Sequence, residues 1–155
     1  MTRAEIIDTG QRWTRAARIR IEAAPSVIFD LLADPTMHSR FDGSGTVQGA
    51  VRGPKRLELG STFGMSMRIK VPYTMTNTVV EFEPDRLIAW RHVGRHRWRY
   101  ELEPTDDGAT IVTETFDGST ALFPPALRLM NAYANNEMAC AKTLVRLKEL
   151  AETRG

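Results

Sequence analysis

Between Pro125 and about Glu152 the apolar residues recur at helical spacing. Leu127, Met130, Ala134, Met138, Ala141 and Val145 form one stripe, which Leu129, Tyr133, Cys140, Leu144 and Leu147 widen. Pro124-Pro125 suits the start of such a helix. At 1.5 Å per residue it runs roughly 40 Å, so it must lie along an equally long surface. No other segment carries a helical pattern of that length, and the surface must therefore be a sheet.

The rest of the chain supplies one. Ala17, Ile19 and Ile21 alternate with Arg18, Arg20 and Glu22, the period of a half-buried strand. Pro25 then opens a short helix through Val27, Ile28, Leu31 and Leu32 that Asp34-Pro35 stops, and a second helical turn fits Met37 to Phe41. From Thr46 to Asp117 strands and turns follow one another: Phe63 to Ile69, Tyr73 to Glu83, Leu87 to Val93, Arg95 to Glu103 and Ala109 to Phe116. Pro84-Asp85, Gly94 and Asp106-Asp107-Gly108 mark the turns, so the sheet is an antiparallel meander. The expected architecture is α+β: a curved antiparallel sheet of about six or seven strands around a long C-terminal helix, with two short helices after the first strand. One domain over residues 1–155, with a core at about 14–152, accounts for the chain.

Composition narrows the function classes. A content of 42% hydrophobic and 26% charged residues is that of a globular chain and excludes disorder. No run approaches the roughly 20 apolar residues of a membrane span, so no integral membrane association is expected. The opening MTRAEIIDTGQRW lacks an apolar secretory core, and the single Cys140 cannot form an internal bridge; a cytoplasmic location follows as the expectation. Twenty-one cations against 19 anions leave a net charge of +2, too small an excess for a nucleic-acid partner. Walker, dinucleotide and G-x-S-x-G signatures are missing, as are H-E-x-x-H and C-x-x-C spacings, so neither cofactor nor metal is expected.

Three stretches carry a resemblance. R-I-R-I-E-A-A-P-S-V-I-F-D-L-L-A-D-P near the start, V-V-E-F-E-P-D-R-L-I-A-W in the middle and W-R-Y-E-L-E-P-T-D-D-G-A-T-I-V-T towards the end resemble the polyketide cyclase/dehydrase and lipid-transport superfamily, the START-related (SRPBCC) helix-grip fold. The resemblance covers roughly residues 14–152. It implies a cavity for a hydrophobic or amphipathic small molecule between sheet and terminal helix, and it supplies no universal catalytic motif.

Strand alternation predicts what would line such a cavity. A two-residue turn at Pro84-Asp85 sets Glu83 against Arg86 and Val79 against Trp90, and a three-residue turn at Val93-Gly94-Arg95 sets His92 against His96. The inward face then collects Tyr73, Met75, Asn77, Trp90, Trp98 and Tyr100, joined by Met65 and Met67. A one-residue slip at Gly94 would remove Trp90 and His92 from it. Leu127, Met130, Asn131 and Ala134 form the helix wall. The same residues would also serve as ordinary core.

If Glu114 faces inward it lies near Trp98 and within reach of His96. His92, His96 and Glu114 are then the candidate catalytic groups, since a carboxylate beside imidazole makes an acid–base pair. Solvated positions are expected for His38 in its loop, for Asn135-Asn136, and for the stripe of Arg91, Arg95, Arg97 and Arg99; Cys140 reads as a small buried hydrophobe. Three functions fit. The first is binding or transport of a hydrophobic, lipid-like or polycyclic molecule, and the second is an aromatase/cyclase or dehydratase acting by acid–base chemistry. The third is a partner protein whose cavity has been filled by Trp90, Trp98 and Met130. Whether the chain is a monomer or a homodimer leaves no trace in the sequence.

Overall fold

The computed structural model describes residues 2–154. Eight strands form one antiparallel sheet: β1 (Glu5–Ile7), β2 (Thr14–Ile21), β3 (Val47–Arg52), β4 (Thr62–Arg68), β5 (Pro72–Glu83), β6 (Leu87–Arg91), β7 (Arg97–Pro104) and β8 (Thr110–Asp117). Their spatial order is β1-β2-β8-β7-β6-β5-β4-β3, so β3 to β8 run as a meander and β2 closes back onto β8. Between β2 and β3 stand helix α1 (Pro25–Leu32), a 3-10 turn (Pro35–Met37) and helix α2 (His38–Phe41); α3 (Pro124–Leu129) and α4 (Ala132–Arg154) follow the sheet. This is the expected helix-grip arrangement with a higher strand count. The added strands are the two edges. β1 is three residues long with Ile6 exposed, and β3 is irregular beside Gly49 with two register shifts against β4, so neither shows clean alternation.

Register confirms the inward face by a route the turn chemistry does not predict. Glu83 pairs with Leu87, which makes the β5–β6 turn three residues long rather than two; a bulge between Val79 and Glu81 then restores Val79 opposite Trp90. At the next hairpin Arg91 pairs with Arg97 and Trp90 with Trp98, so the slip at Gly94 does not occur. The turn residue in the left-handed region there is Arg95, with φ 65°.

The long helix is not continuous. Asn131 has φ 56°, a conformation asparagine tolerates better than other side chains with a Cβ, and it separates α3 from α4. The buried face of α4 is Tyr133, Cys140, Thr143, Leu144, Leu147 and Ala151. The stripe expected to lead is displaced: Met130 and Met138 are exposed, as is Ala134. What fixes the rotation is a close approach. The amide of Gly43 donates to Thr143 Oγ1 at 2.8 Å, and a Cβ on Gly43 would come within 2.6 Å of the Thr143 nitrogen and 2.8 Å of the Ala139 carbonyl oxygen. Only glycine lets the loop after α2 lie against the helix backbone. α4 itself lies mainly over β2 and β8, one side of the sheet.

Candidate functional site

Inward-facing residues form rows across the sheet, and the rows define the site. Cross-strand pairing puts Ala17, Glu114, Tyr100 and Ile88 in one row and Arg15, Phe116, Trp98 and Trp90 in the next. Glu114 therefore stands opposite Tyr100, not Trp98. His96, just before β7, lies four residues from Tyr100, about 13 Å at roughly 3.3 Å per residue. The expected His96–Glu114 pair does not form, because the turn at Gly94 holds the histidines near the sheet's end while β8 carries Glu114 to its middle.

Glu114 is 3% exposed and its Oε2 has no hydrogen-bond partner. Burial raises its pKa to about 8, against opposing contributions from the Tyr100 hydroxyl and the Cys140 thiol beside it. At neutral pH the group is thus mainly a carboxylic acid, a donor buried in the interior. Tyr100 and Cys140 are pushed up in turn, by burial first and then by Glu114. Cys140 is buried as expected, with the added feature that it faces an acid.

The two other candidates meet each other. His92 and His96 pack edge-on with ring centroids 4.3 Å apart, both against Trp98, and the Gly94 amide donates to His92 Nδ1. Burial lowers His92, and burial followed by the neighbouring His92 lowers His96 to about 4. Both are neutral at pH 7, the opposite of the shift a carboxylate partner would produce.

The hollow expected between sheet and helix is largely filled. His38, expected in a solvated loop, is 4% exposed and stacks on Trp90 at 4.6 Å; Phe63 and Phe41 meet its ring, and Tyr100 meets Trp90 and Phe41. Its Nε2 lies 2.9 Å from the Leu32 carbonyl oxygen, which only accepts, so Nε2 carries the proton, and burial lowers the pKa to about 4. The signal for this role was the Met37-to-Phe41 helical turn itself, whose inward side takes His38 and Phe41 together. Two open surface concavities lie elsewhere, one of about 170 Å³ beside Arg12, Arg15 and Arg128 and one of about 310 Å³ beside Thr76, Arg91 and Arg95.

Of the candidate lining residues, Met65, Asn77, Trp90 and Tyr100 are buried, while Met67, Tyr73, Met75 and Trp98 are half-buried towards the sheet's open end. On the helix side Leu127 is half-buried against the core, but Met130, Asn131 and Ala134 are exposed because the break at Asn131 turns them outward. Asn136 takes their place. It was expected at the surface, yet its Oδ1 faces Trp98 Nε1 at 3.4 Å. In the outer arginine stripe, Arg97 and Arg99 share Glu81. Among the described residues no three His, Cys, Asp or Glu side chains are grouped to hold a metal, and no helix is long and apolar enough to cross a membrane.

Residues 12–152 match the family described as polyketide cyclase / dehydrase and lipid transport. An uncharacterized protein, Rv0088, of Mycobacterium tuberculosis is 39% identical over 119 residues, covering 76% of this chain and 52% of that one. The chain thus spans about half the length of the curated relatives it matches. Among solved structures, protein Ms6760 from Mycobacterium smegmatis superposes with a TM-score of 0.71 at 14% identity, covering 99% of this chain and all of the other. The Aha1 dimer from Colwellia psychrerythraea gives 0.58 at 19% identity over 88% and 93%. At these identities the structures speak for the fold alone.

Proposed function

The chain belongs to the polyketide cyclase / dehydrase and lipid transport family, and from that premise we propose that it binds a hydrophobic, ring-bearing small molecule at the open end of the sheet, in space that displacement of α3 opens beside the aromatic side chains filling the hollow under α4. The observation that carries this reading is the unpartnered Oε2 of Glu114 in the interior. A buried polar atom without a partner costs about 1–3 kcal/mol, and a ligand carbonyl or hydroxyl accepting from the protonated acid offsets that cost. Trp98, Met67, Tyr73 and Met75, half-buried at the sheet's open end, supply the apolar wall a ring system needs. Access is through α3. None of its residues is fully buried, and Leu122, Phe123, Leu129 and Met130 around it are 66–91% exposed, so displacing it uncovers the mouth at little cost to the core.

A fluorescence titration with a dihydroxyanthraquinone, a neutral polycycle with carbonyl acceptors, tests this. Wild type and Glu114→Gln, which keeps a neutral donor, should bind alike, and Glu114→Leu at least tenfold more weakly. Equal binding by the leucine variant, or none by wild type, overturns the proposal.

A second reading rests on the same acid. A pKa of about 8 suits a group that gives and takes protons near neutrality. A dehydratase or cyclase would thus use Glu114 with Tyr100, and not the two histidines, and turnover of a bound polyketide-like substrate that fails in Glu114→Gln would distinguish it from carriage.

A further inference from the structure

The concavity of about 170 Å³ beside the start of β2 is lined by Arg12, Trp13, Arg15, Arg128, Asn131, Tyr133 and Ala134. Three arginines line it from three places: the segment before β2, the start of β2, and α3. Arg12 lies over the Trp13 ring with its Cζ 4.8 Å from the centroid, and Arg15 over Tyr133 at 5.5 Å. Those stacks hold the planar forks at the wall. Arg15 is paired with Glu137 at 3.5 Å, and Asp117 acts on the nearby Tyr133 hydroxyl. Among the described residues neither Arg12 nor Arg128 has a carboxylate within 4 Å, so two of the three cations have no internal counter-charge.

We propose that this concavity is a binding site for a phosphate group, held by Arg12, Arg15 and Arg128 against the Trp13 and Tyr133 rings. Guanidinium forks match phosphate oxygens in pairs. The volume equals about five or six waters at roughly 30 Å³ each, room for a phosphate monoester head. The start of α4 at Asn131–Ala134 adds a favourable field without defining the site. The site is separate from the interior around Glu114, from which Tyr133 and Phe116, 5.7 Å apart, divide it. Its ligand is a phosphate ester, free or as a lipid headgroup; Leu129 and Met130, 91% and 70% exposed beside Arg128, are the apolar neighbours a headgroup source would use.

The test follows the Trp13 indole N–H resonance of the full chain while inorganic phosphate is added at low ionic strength. A saturable shift is expected, weakened at least tenfold in Arg12→Gln/Arg128→Gln and unchanged in Arg91→Gln/Arg95→Gln, which alters the other cationic concavity. Arg12, Arg128 and Arg95 are exposed and Arg91 is half-buried, and far-UV circular dichroism confirms the fold; Arg128→Gln alone gives the same reading at smaller size. No shift in wild type, or equal weakening by the control pair, overturns the site. Sedimentation with phosphatidylcholine vesicles containing one part in five phosphatidic acid separates the sources. Binding lost in Arg12→Gln/Arg128→Gln assigns a headgroup, whereas a phosphate-induced shift without sedimentation assigns a free ester, and either upholds the site.

Discussion

Glu114 ties stability to pH between the carboxylate's ordinary range and pH 8, in the sense opposite to the buried histidines. Its pKa is raised from 4.5 to about 8, so between those values the folded protein holds a proton that the unfolded chain releases. Stability from this group is complete below pH 4.5 and is lost as pH rises towards 8. His38 and His96, lowered to about 4, work in the other direction: they stay neutral when folded, and their contribution is lost as pH falls from 6.5 to 4. Above pH 6.5 Glu114 dominates, while the histidines of the unfolded chain shed their last protons and act in the opposite sense. With one proton's difference at pH 6.5 and half a proton's at pH 8, Glu114 alone accounts for a loss of about 1.6 kcal/mol across the interval. For a chain of this size that is roughly 3–6 °C in Tm. Urea unfolding followed by tryptophan fluorescence at pH 6.5 and 8.0 reads it directly. Relative to Glu114→Gln, in which only the histidines act, wild type should lose about 1.6 kcal/mol between the two pH values. The same pH profile in both proteins refutes the assignment of a buried, protonated acid.

Two further outcomes follow from the packing. Gly43→Ala drives a methyl into the α4 backbone at Ala139 and Thr143 and should cost about 1–3 kcal/mol, lowering the urea midpoint with far-UV helicity retained; an unchanged midpoint means the loop yields freely. His38→Phe keeps a ring on Trp90 but leaves the Leu32 carbonyl unpaired, a loss of about 1–3 kcal/mol at pH 7. Because wild type alone must then strip a proton from His38, the gap between the two proteins should narrow as pH falls towards 4.5, and a constant gap in acid unfolding would place the histidine in water.

The sequence carries period and sign but not phase. Alternation along β2, β5 and β7 puts Tyr100 on the inner face, whereas Trp90 depends on the register at Gly94 and Glu114 on which face of β8 turns inward; the burial of Thr110, Val112, Glu114 and Phe116 decides the second. Relative position along neighbouring strands is another matter. It depends on turn length and on bulges, and the bulge at Val80 leaves no local mark because it compensates a three-residue turn four positions away. A two-residue shift in the β7–β8 register, set by the five residues between Pro104 and Thr110, separates a Glu114 facing Trp98 from one facing Tyr100, and so a His–Glu pair from a solitary acid.

Helix phase fails for a related reason. Apolar residues occur on two overlapping stripes from Leu127 to Leu147, and either satisfies a period of 3.6. The choice between them is made by Gly43, about a hundred residues earlier, whose missing side chain admits the loop to one side of α4. Once that contact fixes the rotation, Cys140 faces Glu114 and Asn136 faces Trp98, while Met130 and Met138 are left outside. The polar end of the interior is thus assembled from β7, β8 and α4 by a contact that contains none of its residues, which is why its chemistry can be read from the fold and not from any motif.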